Sequence, residues 1–340
     1  MMFDRRDVLK LSSGAAISGV LGGQSLIAIA QDGLKLRLQL GWIANVEYAG
    51  VWLALERGYF RQRGIDLQYA AGGPNSPPSP VVVASGNADI AYTTWLPFLD
   101  AVARGNEFVM IGATFPISPL GIISLAKRPI RVPADLVDAK ILAQGPNEKT
   151  AIDATLTLAG LPVRWTMVPA GFSPEPLLAG DAQGYTAFGT NQVITLERMG
   201  LVSGKDFFFT SFDALGFRSY ASVLFTSRAF LEKNRPRVVG FLEALIRGWL
   251  DNEKDPSAAP KLVIEKFGKD YGLDPAQQTR QNQLQIPLVR AAAPRPILTL
   301  DREVIAGPMM AAARATGRIN LPDIAAIIDF KVAEEANALL

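Results

Sequence analysis

Neither cysteine nor histidine occurs anywhere in this chain. Their absence excludes disulfides, a thiol nucleophile, Cys/His zinc coordination and any imidazole base, and without histidine no serine triad can be assembled. The acceptor thiol that a bacterial lipoprotein needs is missing too. So is an excess of one charge: 34 Lys plus Arg face 32 Asp plus Glu, a balance of +2. Such a balance offers no broad basic face for nucleic acid and no acidic tail. There is no Asp-x-Asp-x-Asp-Gly calcium loop and no Gly-x-Ser-x-Gly elbow, and "GGPNSPPSP" (72–80) has glycines without the Lys-Ser/Thr of a phosphate cradle. No metal, no cofactor and no catalytic residue is expected, and the chain is read as a non-enzyme.

What is present suits a globular protein with a large core. The 340 residues are 49% hydrophobic and 19% charged, enough for two lobes. The first thirty residues stand apart. Arg5 and Arg6 precede a mild apolar stretch that ends "AIAQ", with Ala28 and Ala30 at the spacing a signal peptidase accepts. A stretch of about 20 residues could span a bilayer, but Ser12, Ser13, Gly14, Gly19, Gly22, Gly23 and Gln24 make this one a poor anchor. The segment resembles a twin-arginine export signal, so residues 1–30 are expected to be cleaved after Ala30, leaving a nearly neutral periplasmic protein.

Beyond it, Leu34, Leu36, Leu38 and Leu40 alternate with Lys35, Arg37 and Gln39, the period of a strand. A helix is predicted in "EYAGVWLALERGYFRQRG", with Tyr48, Trp52, Leu55 and Tyr59 on one face and Gly64 as its C-cap. "IDLQYA" is the next strand. Strand, helix, strand is a βαβ unit, and repeated units build parallel sheets covered by helices. The pattern continues through "ADIAYTT", "FVMIGATF", "AKILAQG", "RWTMVPA" and "GYTAFG", with helices between. "VASGNADIAYTT" and "LLAGDAQGYTAF" echo each other, as two lobes of one design would. From about Pro236 the chain reads as mostly helical. "LGIISLA" (120–126) and "YASVLFTS" (220–227) are the candidate strands crossing between lobes. The expected division is 31–123 with 221–340 as one lobe and 124–220 as the other.

The run "ALERGYFRQRGIDLQY", the "GG" after it, "SGNADIA", "SPLGIISLA" and "PADLVDAKI" resemble the thiamine-pyrimidine synthase-like solute-binding proteins and their sulfonate- and nitrate-binding cousins. The resemblance runs from Leu34 to about Gly268. It implies an α/β fold of the type II periplasmic binding protein kind, two α/β lobes joined by a two-strand hinge. It also implies a monomer that closes on one small-molecule ligand and docks on an ABC transporter permease. Two departures stand out. Relatives often carry a His where Glu47 and Tyr48 stand, and the second-lobe turn Gly180-Asp181-Ala182-Gln183-Gly184 departs from Gly-x-x-Asp-Ala. A fungal enzyme branch of the family consumes its own active-site His with pyridoxal phosphate and iron; this chain has no His to consume.

Ligands of open α/β sheets sit beyond the carboxyl ends of strands. That rule, with the resemblance, selects Trp42 as a flat stacking face or a core residue, and Asn45 as donor and acceptor or a helix cap. Glu47 is a carboxylate for N–H groups or a first-turn charge, and Tyr48 a cleft wall or the start of the apolar helix stripe. Thr94 and Trp95 form a second strand-end patch, with Trp95 divided between cleft and core. Ser118 lies on the hinge side. In the second lobe Tyr185 and Asn191 are candidates, Asn191 equally as an N-cap, and Asp213 could close over the ligand or pair with Arg218. The expected ligand is a small heteroaromatic solute such as a pyrimidine thiamine precursor. A sulfonate, nitrate, taurine or riboflavin ligand stays open, as do a pyrimidine-synthesis enzyme and a sensing domain.

Overall fold

The structure, a computed structural model, describes residues 34–291 and 295–340. The expected export signal lies outside these residues. β1 (Leu34–Gln39) buries Leu36 and Leu38 and exposes Lys35 and Arg37, as its alternation requires. It pairs in parallel with β2 (Ile65–Ala70) and β3 (Ile90–Thr93), with Leu34 opposite Ile65 and Leu38 opposite Ile90. β4 (Phe108–Phe115) completes the first sheet across the antiparallel β10 (Ala221–Ser227), in the order β2-β1-β3-β10-β4.

The second sheet repeats the plan. β6 (Lys140–Ala143) pairs in parallel with β7 (Thr166–Pro169) and β8 (Gly184–Phe188), and the antiparallel β5 (Leu120–Leu125) separates β8 from β9 (Phe207–Ser211). Its order is β7-β6-β8-β5-β9. The echoed segments land on corresponding strands: β3 follows the turn at Gly86 and β8 the turn at Gly180, with φ of 72° and 90° that favour glycine. Successive residues of β5 bury opposite faces, Ile122 into one cluster with Ile141 and Leu156, Ile123 into another with Leu142 and Tyr185.

Two expectations are corrected. β5 and β10 do not cross between lobes. Each is hydrogen-bonded on both sides within one sheet, so neither is free to bridge. The crossings fall at 116–119 and 212–220, and the boundary lies before β5 rather than at 123/124. The long helix near 47–64 is broken at Gly58 (φ 69°) into α1 (Ala49–Glu56) and the single turn Tyr59–Gln62.

The other helices that position the cleft are α2 (Trp95–Ala103), α3 (Pro146–Leu158), α4 (Gln192–Arg198), α5 (Arg228–Lys254), α6 (Pro275–Val289) and α7 (Met310–Ala315). α5 starts earlier than its expected opening near Pro236 and kinks at Asn234, two residues before that proline. α7 reaches past its own lobe, because Ala312 packs in the second-lobe cluster with Ile152 and Phe212. No helix among the described residues is long and apolar enough to cross a membrane.

Candidate ligand-binding cleft

The parallel strands of both sheets end toward the two crossings, and the loops beyond those ends enclose a cavity of about 100 Å³. The first lobe contributes Thr94, Leu96, Pro97 and Ala221, and the second Asn147, Glu148, Ala151 and Phe188. Ser118, Phe212, Phe217, Ser219 and Tyr220 close it from the crossings. Thr94 is there because β3 stops at Thr93 and Thr94 stays extended (φ −110°, ψ 165°) before α2 turns away. Ser118 is held by accepting a bond from the Leu120 N–H at 3.3 Å.

Glu148 stands in the first turn of α3. Burial pushes its carboxyl above the ordinary 4.5, against the pull of the Glu148 and Gly145 backbone N–H groups. No Lys or Arg lines the cavity.

A second group occupies the loop after β1. Asn45 is buried and caps the turn Val46–Tyr48, its Oδ1 accepting from the Glu47 N–H at 2.9 Å. Glu47 is partly buried and accepts from the Ser222 hydroxyl at 2.7 Å. Burial raises its carboxyl above 4.5 and the Ser222 bond opposes that rise. Ser222 pays for its reach with a left-handed backbone (φ 48°), a conformation costing of order 1–3 kcal/mol in a non-glycine residue. Tyr48 is core: it is 2% exposed and its ring tilts against Tyr92 at 5.1 Å. Trp42 is partly buried and meets Phe172, from the loop after β7, edge to face at 5.9 Å. That contact joins the two lobes.

Among the described residues no Lys or Arg pairs with Glu47 or Glu148; the ion pairs all involve other carboxylates. Two desolvated carboxylates, one in each lobe, therefore stand without a neutralising partner. A buried charge in that condition is stabilised by a ligand that brings N–H donors or positive charge.

The remaining candidates fall elsewhere. Trp95 is fully buried, stacks with Phe98 at 6.1 Å and donates its indole N–H to the Met309 carbonyl at 3.3 Å, so it belongs to the core. Tyr185 is fully buried too. Its hydroxyl donates to the Gly171 carbonyl at 2.8 Å, and burial pushes it up to about 12. It supports the loop bearing Phe172 rather than the cavity. Asn191 is exposed, makes no side-chain cap bond and accepts from Gln277 at 2.8 Å. Asp213 pairs with Arg218 at 3.2 Å within the crossing.

Thr94 and Ser118 are thus brought together in the cavity, while Trp42, Asn45, Glu47 and Tyr48 share one loop after β1 and do not line it. Glu148, Ser222 and the Phe188, Phe212 and Phe217 rings were not anticipated. The repeat could have found Glu148: β6 corresponds to β1, and Glu148 follows β6 as Glu47 follows β1.

A family profile described as NMT1/THI5 like matches residues 45–259. The 4-amino-5-hydroxymethyl-2-methylpyrimidine phosphate synthase of Schizosaccharomyces pombe is 25% identical over 248 residues, 70% of this chain and 71% of that one. The formylaminopyrimidine-binding protein of Halalkalibacterium halodurans is 21% identical over 264 residues, 75% of this chain and 73% of that one. Among solved structures, the periplasmic aliphatic sulphonate binding protein SsuA from Escherichia coli superposes with a TM-score of 0.64 at 18% identity, covering 86% of this chain and 91% of that one. This likeness establishes the fold, two α/β lobes of the periplasmic binding protein kind.

Proposed function

Because the chain belongs to the NMT1/THI5-like family, we propose that it is the solute-binding component of an ABC importer, taking a small pyrimidine with N–H donors between its lobes. The observation that carries this reading is Glu148, a desolvated carboxylate on the wall of a cavity without Lys or Arg, together with Glu47, equally unneutralised, in the loop after β1. A carboxylate accepts the paired N–H groups of an aminopyrimidine edge through charge-assisted bonds, about twice as strong as neutral ones. The Phe188, Phe212 and Phe217 rings of the cavity wall supply apolar faces for the ring itself, and Trp42 would have to swing from Phe172 to add another. A sulfonate or nitrate in the cavity would meet an acceptor of its own charge in Glu148.

Two pyrimidine relatives, one named as a synthase and one as a binding protein, support the same ligand class. Between those two activities, a chain with no His and no Cys favours binding. The work is then mechanical. A ligand that touches both lobes stabilises the closed form over the open one, and the closed form is what a permease recognises. Export to the periplasm through the twin-arginine route and a monomeric state complete the proposal.

Titration calorimetry with 4-amino-5-hydroxymethyl-2-methylpyrimidine and with ethanesulfonate tests it. Binding of the pyrimidine, recovered unaltered by mass spectrometry, is expected. Binding of ethanesulfonate alone, or turnover of the pyrimidine, overturns it.

A further inference from the structure

α6 is unusual in what it buries. Gln278, Gln281, Asn282 and Gln285 are between 0% and 6% exposed, where a helix of this length normally buries leucines. Buried amides cost free energy unless bonded, and these are bonded. The Val46 N–H donates to Gln278 Oε1 at 2.9 Å, and Gln285 Nε2 donates to the Val46 carbonyl at 2.6 Å. Both backbone groups of Val46 are therefore held from one helix face, and Val46 immediately precedes Glu47. Asn282 anchors that face to α5 by exchanging bonds with the buried Asn252 at 2.8 and 2.9 Å, and it donates to the Pro256 carbonyl at 2.7 Å.

The adjoining edge of the same helix holds the other lobe. Arg280 pairs with Glu197 through two bonds of 3.1 and 3.2 Å, Gln277 donates to Asn191 at 2.8 Å, and Asp274 pairs with Arg198 at 2.9 Å. Asn191, Glu197 and Arg198 lie on or just before α4, which follows β8 and the cavity residue Phe188.

We propose that α6 couples lobe closure to ligand seating: Gln278 and Gln285 position Glu47 through Val46, while Asp274, Gln277 and Arg280 clasp α4 of the opposite lobe. The clasped molecule is then the one in which the Glu47 carboxylate is set for the ligand. Neither glutamine touches a ligand; they are positioning residues, and the inference rests on reading the cleft as the binding site.

Coupling of this kind acts crosswise, and that is what the test reads. The absence of native cysteine allows one spin label in each lobe, at the exposed Val81→Cys and Val163→Cys. In the ligand-free full chain, Gln285→Leu is expected to lower the population of the short interlobe distance, although it touches no residue of the second lobe. Arg280→Ala, a surface change, is expected to speed hydrogen exchange at the Val46 amide and to weaken binding of 4-amino-5-hydroxymethyl-2-methylpyrimidine several-fold.

A distance distribution identical to the parent's, or an unchanged Val46 exchange rate in Arg280→Ala, overturns the coupling. If Gln285→Leu fails to fold, the exchange measurement on Arg280→Ala decides alone. Failure of the pyrimidine to bind the parent protein counts against the proposed function. The two ligand-free measurements still judge α6.

Discussion

Trp42 follows β1 and Trp95 follows β3, yet the two indoles turn opposite ways. Trp42 meets Phe172 across the lobes, whereas Trp95 stacks on Phe98 with no exposed surface. The same truncation should separate them. Trp42→Ala is expected to weaken pyrimidine binding by about 1–3 kcal/mol by calorimetry, the scale of a stacking contact with its buried area. Trp95→Ala is expected instead to cost about 3–5 kcal/mol in urea unfolding, as emptied aromatic core sites do. Equal effects of the two on binding would put the cleft elsewhere.

Glu47 yields a prediction in pH. Its folded value lies above 4.5 because burial disfavours the charge. The folded chain thus keeps a proton that the unfolded chain has released, and its contribution to stability declines as pH rises through the folded value. Binding runs the other way, since only the ionised carboxylate accepts from N–H donors at full strength. Affinity for the pyrimidine should rise with pH upward from about the ordinary carboxylate range, and Glu47→Gln should remove part of that rise. Glu148, raised for the same reason, carries the rest, so the double variant to Gln should titrate flat. A slope unaltered in both variants would return the two residues to helix-end roles.

Among elements, those that announce themselves by apolar period were legible from the chain. β1 was placed by its alternation and the α5 stripe of Val238, Leu242, Leu245 and Trp249 by 3.6-residue spacing, while β2 to β8 were read from short apolar runs recurring between helical stretches. β9 and α6 were not. β9 reads "FFFTS", a run without alternation, and α6 buries amides, so its period is invisible to any count of hydrophobic residues. The crossings were misplaced by a few residues because "LGIISLA" is as apolar as a bridging strand would be; only its pairing partners assign it to one sheet. Of the candidate site, the strand-end rule named Thr94, which lines the cavity, and the loop of Trp42 to Tyr48, which does not, and pattern could not say which way Trp95 would turn.

Tertiary contact is equally silent in the pattern where helices touch through glycine. Gly248 of α5 lies against α1 so closely that a Cβ would stand 2.0 Å from the Gly50 carbonyl oxygen, and the obstacle is backbone. Gly248→Ala is expected to force the helices apart at about 1–3 kcal/mol. Gly240→Ala, in the same helix with only the Arg63 side chain near at 3.4 Å, is expected to stabilise by up to about 1 kcal/mol through helix propensity. Chemical denaturation of both variants checks the pair, and a loss at Gly240 equal to that at Gly248 would refute the close approach as the cause.

For the whole molecule, the two lobes meet in chemically different places. Beside the crossings the contact is apolar, with Ala312 of α7 packed among Phe212, Phe217 and α3. At α4 and α6 it is polar and water-facing, made by the Arg198–Asp274 and Arg280–Glu197 pairs. The first reads as a pivot and the second as a clasp, and salt distinguishes them. Raising ionic strength to about 1 M shortens the Debye length to about 3 Å, which screens exposed ion pairs and leaves apolar packing intact. The Arg280–Glu197 pair alone, at about 0.2–1 kcal/mol for a surface pair, moves the closed-to-open ratio by roughly 1.5- to 5-fold. Small-angle scattering of the ligand-free protein should therefore show the radius of gyration rising with salt, while the unfolding midpoint stays nearly constant. Arg280→Ala should reduce that rise, because one of the screened pairs is already gone. A radius indifferent to salt in both proteins would mean that the lobes are held by the apolar contact alone, and that the polar edge of α6 decorates closure without helping to cause it.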